Sequence, residues 1–169
     1  MGITCNITPD GLEAEFNRQK SELYKQILNA FIMAGEEFVK NAREQMQDHA
    51  MGQYHDVTKN LRGSIHYFIF YNGELVHRSA PTRVAIQLSD VQEYVKPTGF
   101  QLIGIAGMNY ASYVESKGYN VISYQADICL VDLAGYLENL KLIEEGSAAN
   151  IEDTFLPDDL PANFYIKDH

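Results

Sequence analysis

Val57-Thr58-Lys59-Asn60-Leu61-Arg62-Gly63-Ser64-Ile65 leads into His66-Tyr67-Phe68-Ile69-Phe70-Tyr71, and Asn72-Gly73 closes the run. Asn-Gly is the preferred pair for a two-residue hairpin turn, because both central residues need positive φ. The spacing therefore predicts a strand over 64–71 that turns back on itself. Ile65, Tyr67, Ile69 and Tyr71 share one face of that strand, and His66, Phe68 and Phe70 share the other. Neither face is polar, so both are expected to be covered, one by a helix and the second by another helix or a neighbouring molecule. On that expectation Phe68 and Phe70 are candidate interface residues.

Outward from this strand, Val84, Ile86 and Leu88 alternate with Ala85 and Gln87, which predicts a strand over 84–88. Lys96-Pro97-Thr98-Gly99 supplies a turn before a further strand over 101–106. The fold class that follows is α+β, with an antiparallel sheet of about four strands. Upstream, Thr8-Pro9-Asp10 opens a long helix with apolar positions Leu12, Phe16, Leu23, Ile27, Phe31, Ala34, Phe38, Ala42 and Met46. At about 1.5 Å per residue it would exceed the span of a compact domain of this size, so either it breaks near Gly35 or part of it projects. A projecting half would expose its apolar stripe and favour packing against another subunit. Downstream, Ala126 to Glu145 carries Ile128, Val131, Leu133 or Ala134, Leu137, Leu140 and Ile143 at helical spacing, with Gly146 as a stop. This is a second amphipathic helix for the sheet.

Residues 1–146 thus read as one domain, and 147–169 as an acidic, aromatic C-terminal arm carrying Phe155, Phe164 and Tyr165. Two readings of the arm stay open: a strand-like extension along its own domain, or a segment that docks on a neighbouring subunit. In the second reading those three aromatics are interface residues.

With 169 residues the chain can bury a real core, and its formal net charge of -10 argues against nucleic acid and anionic membrane as primary partners. Cys5 and Cys129 match no disulfide framework or metal-ligand spacing, which suits a reducing cytoplasm. No secretory leader is evident at the start, and no apolar run approaches the roughly 20 residues of a membrane span.

Catalytic readings lack their key residues. Asp48, His49, His55 and Asp56 fall within nine positions, but neither a helical i, i+4 nor an alternate-strand spacing joins the histidines as metal ligands. Ser64 sits in Arg-Gly-Ser-Ile rather than in a nucleophile elbow, and His66 and His77 fall on the hairpin. Gly104-Ile105-Ala106-Gly107 has no lysine for a phosphate loop. The expectation is a chain that is not an enzyme, with no catalytic residue, metal or cofactor.

A second segment, Asn109-Tyr110-Ala111-Ser112-Tyr113-Val114-Glu115-Ser116-Lys117-Gly118, reads as a short helix with Tyr110, Tyr113 and Val114 inward and Gly118 at its end. In the first segment, Thr58 or Asn60 is expected to cap a short turn, Leu61 to anchor it in the core, and Ser64-Ile65 to start the strand on the correct face. The charged members, Arg62 and Glu115, are expected to pair and lock helix to sheet.

Together these two segments resemble the hallmark motifs of the head-tail joining or tail-completion proteins of tailed bacteriophages, also called minor tail components. Members have a long N-terminal helix, here ending Ala42-Arg43-Glu44, then a Thr-Gly-Asn-Leu-Arg-x-Ser-Ile motif and a Tyr-Ala-x-Tyr-Val-Glu-x-Gly motif. This chain has Thr58, Asn60, Leu61, Arg62, Ser64 and Ile65 in the first, and Tyr110, Ala111, Tyr113, Val114 and Glu115 in the second, with the glycine two places late at Gly118. Lys59 stands where the motif has glycine, the usual preceding proline is missing, and the acidic C-terminal segment has no counterpart. The resemblance runs from about residue 20 to about residue 140. It implies a structural virion protein of a phage or prophage, assembled in the bacterial host cytoplasm. Such a protein acts at the neck among other neck and tail proteins, commonly as a homo-oligomeric ring or as subunits that order on docking, and this chain's acidic charge would suit a channel lining that lets DNA slide. The alternative is a non-catalytic protein- or peptide-binding module of a mobile element or host.

Overall fold

The computed structural model describes residues 9–45, 58–82 and 84–140, together with the backbone of 162–166. Helix α1 (Pro9–Gln45) is followed by a single turn, α2 (Asn60–Gly63), and by strands β1 (Ile65–Tyr71) and β2 (Glu74–Arg78). Then come β3 (Phe100–Ala106), α3 (Ala111–Ser116), α4 (Ser123–Glu138) and β4 (Ala162–Ile166). The class is α+β, with a long N-terminal helix and a later helix packed on the sheet.

The hairpin forms as its turn demands: Asn72 and Gly73 take φ of 51° and 83°, and Tyr71 pairs with Glu74. Val76 is an extra residue on β2, bulged between the Ile69–His77 and Phe70–Leu75 pairs. β1 also pairs antiparallel with β3 over its whole length, from Ile65–Ala106 to Tyr71–Phe100. The antiparallel sheet therefore has three strands rather than about four, in the order β2-β1-β3. β4 then joins the free edge of β3 in parallel, from Leu102–Ala162 to Ala106–Ile166. Part of the C-terminal arm thus lies along its own domain as a strand. Phe164 and Tyr165 fall on it, in register with Gly104 and Ile105, while Phe155 lies outside the described residues.

The expected strand over 84–88 is not one. Residues 84–87 run as a connection into two 3-10 turns, Leu88–Asp90 and Gln92–Tyr94, and this segment lies over the second face of the sheet. Its apolar alternation serves packing rather than pairing: Ile86, Tyr94 and Val95 close over Phe68, Phe70, Val91, Ile103 and Ile105. Phe68 and Phe70 are accordingly buried by their own chain and are not free interface residues. Gln101 fastens the cover, its Oε1 accepting the Lys96 N–H and its Nε2 donating to the Tyr94 carbonyl, each at 2.8 Å.

On the first face, α1 and α4 pack over Ile65, Tyr67, Ile69 and Leu102, with Phe31, Phe38 and Leu133 fully buried between the layers. α1 runs without interruption through Gly35. The glycine is there for close approach, because a Cβ at that position would lie 2.7 Å from the Tyr67 ring. Of the two expectations for this helix, projection is the one observed. Every residue from 10 to 23 is exposed, and the first buried residue of the helix is Ala30.

α4 is rotated from its expected phase. Gln125, Ala126, Cys129 and Leu133 face inward, whereas Val131 is 71% exposed and Ile128 only half-buried. The helix ends at Glu138, and the remainder of the expected span beyond residue 140 lies outside the described residues, as does Met46 of the first helix.

Candidate functional site

The two hallmark segments meet at one end of the β1–β3 pair. Lys59 precedes α2 in the left-handed conformation, φ 60° and ψ 16°, and its carbonyl accepts the Gly63 N–H at 3.1 Å. Leu61 is fully buried in the helix-side core. Ser64 is buried with it, its hydroxyl donating to the Leu61 carbonyl at 2.7 Å, and Ile65 opens β1 on the core face. Thr58 Oγ1 accepts the Asn60 N–H at a long 3.4 Å, so left-handed backbone rather than a side-chain cap starts the turn. From above, Arg43 of α1 donates Nη2 to the Ile65 carbonyl at 2.7 Å, tying the helix to the first residue of the strand. Burial holds that guanidinium's pKa below its ordinary value.

Across the strand pair, the Gly107 N–H donates to the Ser64 carbonyl at 3.1 Å and brings in the second segment. A Cβ on Gly107 would overlap Ile86, so this glycine also admits the cover segment. In α3, Ala111 and Val114 are buried and Tyr110 is half-buried against the core. Tyr113, expected inward, is 63% exposed with the Lys117 ammonium over its ring. Gly118 ends the segment at φ 83°, its N–H donating to the Glu115 carbonyl at 2.9 Å.

Glu115 points toward the next helix. Its Oε2 accepts the N–H groups of Val121 at 2.6 Å and Ile122 at 3.3 Å, and its Oε1 accepts that of Ser123 at 3.3 Å. α4 has no side-chain cap at Ile122, so a carboxylate from the preceding helix satisfies its free donors and opposes its positive end. For Glu115, expected to pair with Arg62 and lock helix to sheet, the hydrogen bonds seen run instead to the backbone N–H groups that open α4. The signal in the sequence is a glutamate ahead of a helix that begins at Ile122-Ser123.

Two polar clusters escaped the sequence reading. His66 is buried on the cover side, with Nδ1 3.0 Å from Ser79 Oγ and Nε2 3.0 Å from the Val84 carbonyl. Burial lowers its pKa and favours the neutral ring. On the opposite face, the Tyr67 hydroxyl donates to Glu36 at 2.8 Å and lies 3.2 Å from His77 Nδ1, while the two rings stack. Burial and then the Glu36 hydrogen bond push the Tyr67 hydroxyl pKa up. Cys129 is buried under α1 with its thiol directed at the Ala34 carbonyl, and burial pushes its pKa up to about 12. A thiol so placed is a packing group rather than a nucleophile. Among the described residues no group of three or more His, Cys, Asp or Glu is placed to hold a metal, and no helix is long and apolar enough to cross a membrane. Asp48, His49, His55 and Asp56 lie outside the described residues.

Several large apolar side chains among the described residues are exposed. Leu12 and Phe16 are 61% and 65% exposed and share one side of the projecting helix with Leu23. On α4, Tyr124 and Val131 are exposed with Ile128 between them. The chain matches no protein-family model, no curated protein and no solved structure.

Proposed function

We propose that this chain is a structural neck component of a tailed phage or prophage, which completes the tail end and joins it to the head by homo-oligomeric assembly. It is made in the bacterial host cytoplasm and carried in the virion, works without catalysis or cofactor, and binds other neck or tail proteins. The observation that carries the reading is the backbone at Lys59. The motif it resembles has glycine there, and this chain holds the left-handed conformation that glycine adopts most readily. The lysine therefore departs from the motif in residue type and keeps its geometry. Further support comes from the use of the motifs' polar groups. Ser64 and Glu115 serve backbone carbonyls and N–H groups, which is architecture, while apolar side chains on two helices are left for contact.

The DNA on either side of the gene tests this. A same-strand run holding portal, capsid and tail-tube frames is the expected result. Neighbours of metabolic or regulatory type would remove the virion role and favour a protein- or peptide-binding module.

A further inference from the structure

The segment that covers Phe68 and Phe70 is fastened at both ends, and the two fastenings differ in chemistry. Toward the Tyr71–Phe100 pair the clasp is Gln101, whose neutral amide holds the Lys96 N–H and the Tyr94 carbonyl. At the opposite end, where His66 lies in register with Ile105, the clasp is an imidazole. His66 and Ser79 are each only 5% exposed, and the ring spans from the Ser79 hydroxyl to the Val84 carbonyl, 3.0 Å from each. Thr82 Oγ1, which donates to the Gly63 carbonyl, lies 3.3 Å from Nε2. One histidine ring therefore ties the connection between β2 and the cover to β1. Just beyond it, Ile86 fills the space that a Cβ on Gly107 would need.

The proton count of this clasp closes with a neutral ring. A carbonyl only accepts, so Nε2 carries the hydrogen directed at Val84, and the bare Nδ1 accepts from the Ser79 hydroxyl. Ser79 Oγ in turn accepts the Tyr67 N–H at 3.3 Å. A second ring proton makes Nδ1 a donor aimed at that hydroxyl, which must then turn its own hydrogen away inside a buried site. Among the described residues, the charges that act on the ring are Arg43 from α1 and Arg78 from β2, both cations. Ile105 of β3, the Gly63 carbonyl of α2, and Ser79, Thr82 and Val84 of the connection are uncharged. Burial opposes the second proton as well.

We infer that His66 is an acid-released latch: a second ring proton frees the 79–86 end of the cover, which lifts from Ile105 and Phe68 while the Gln101 clasp keeps the 94–96 end in place. The opened form presents part of an aromatic face that is closed at neutral pH. Opening begins where a freed histidine gains its proton, at roughly pH 6.5, and each further unit of acid raises the open population by up to about tenfold until the closed form also titrates. The latch belongs to the domain itself and goes beyond the neck reading.

Hydrogen–deuterium exchange of the full chain, read by mass spectrometry at about pH 7.5 and about pH 5.5 and corrected for intrinsic rates, tests the latch. The expected result in acid is a loss of protection of about three- to tenfold in peptides spanning 79–91, with β1 and β3 unchanged. His66→Gln, which keeps a donor and an acceptor and does not titrate, is expected to show equal protection of 79–91 at both pH values, and His77→Gln to respond as wild type does. Unchanged protection of 79–91 in the wild-type chain would overturn the inference. An equal loss in β1 and β3 would do so too, since the whole domain would then be opening. A response kept by His66→Gln, or lost in His77→Gln, would assign the titration to another group. The first two results come from the wild-type chain alone, so the test holds even where a variant fails to fold. The flanking genes bear on the neck reading and on none of these outcomes.

Discussion

The two halves of α1 have the same amphipathic period and opposite fates. From Ala30 to Ala42 the apolar stripe is buried against the sheet and α4, whereas from Asp10 to Leu23 none of the described residues covers it. Between them lies an aromatic seam, where Tyr24 packs edge-on to Tyr71 and both rings touch Phe100. Beyond that seam the sheet has ended, since β1 and β3 stop at the Tyr71–Phe100 pair. The helix outlasts its support by several turns. Periodicity alone records that a helix has an apolar side; it does not record how much of that side the same chain can cover.

Substitutions along the helix should separate the halves. Phe38→Ala is expected to cost about 3–5 kcal/mol in chemical unfolding, because the ring is fully buried and leaves a cavity. Phe16→Ala should stay within about 0.5 kcal/mol of wild type under monomeric conditions, and a loss comparable to that at Phe38 would mean the first half is packed after all. Gly35→Ala should cost about 1–3 kcal/mol although alanine favours helices, since its Cβ would overlap the Tyr67 ring. A stabilised variant would instead place the ring away from the helix. Denaturant midpoints decide both.

Away from the helix, Glu115→Ala removes the acceptor for three N–H groups at the start of α4 and should cost about 1–2 kcal/mol. The same variant should leave self-association intact if the domain body and the projecting surface are separate. Combining it with Arg62→Ala in a double-mutant cycle measures the expected coupling of those two charges. Lys59→Gly should stabilise by up to about 1 kcal/mol, the relief of left-handed strain being partly offset by the added freedom of the unfolded chain. No gain would locate the backbone elsewhere.

His66 adds a pH dependence to the packed region. Its folded pKa lies below its unfolded value, so the unfolded chain takes up the proton first. The stabilisation is complete above the unfolded pKa of roughly 6.5 and is lost as pH falls from there toward the folded value. Stability measured against pH should flatten in that window in His66→Gln; an unchanged slope would assign the dependence to other groups.

The elements whose information is local were legible in the sequence. Asn72-Gly73 announced its turn, Gly118 the end of α3, and Leu61 its anchor, because φ preference and apolar type act within a few residues. The run 84–88 misled because an alternating apolar pattern describes one side facing a core, whether or not the other edge finds a strand. α4 misled for a related reason: it has apolar residues on two sides, and only packing against α1 chose Ala126, Cys129 and Leu133 over Ile128 and Val131. Glu115 was marked in the sequence as a residue with a task, but its partners lie on the far side of a turn.

By itself the sequence determined the class of fold, the hairpin and the amphipathic character of both main helices. All of these follow from backbone geometry and side-chain period. Only the tertiary structure decided which apolar faces are spent inside the chain and which remain outside. The 86–95 segment covered Phe68 and Phe70, while no part of the sheet reached Leu12 and Phe16. Burial is a property of surfaces brought together across long stretches of chain, and a linear pattern holds one side of each such meeting at a time.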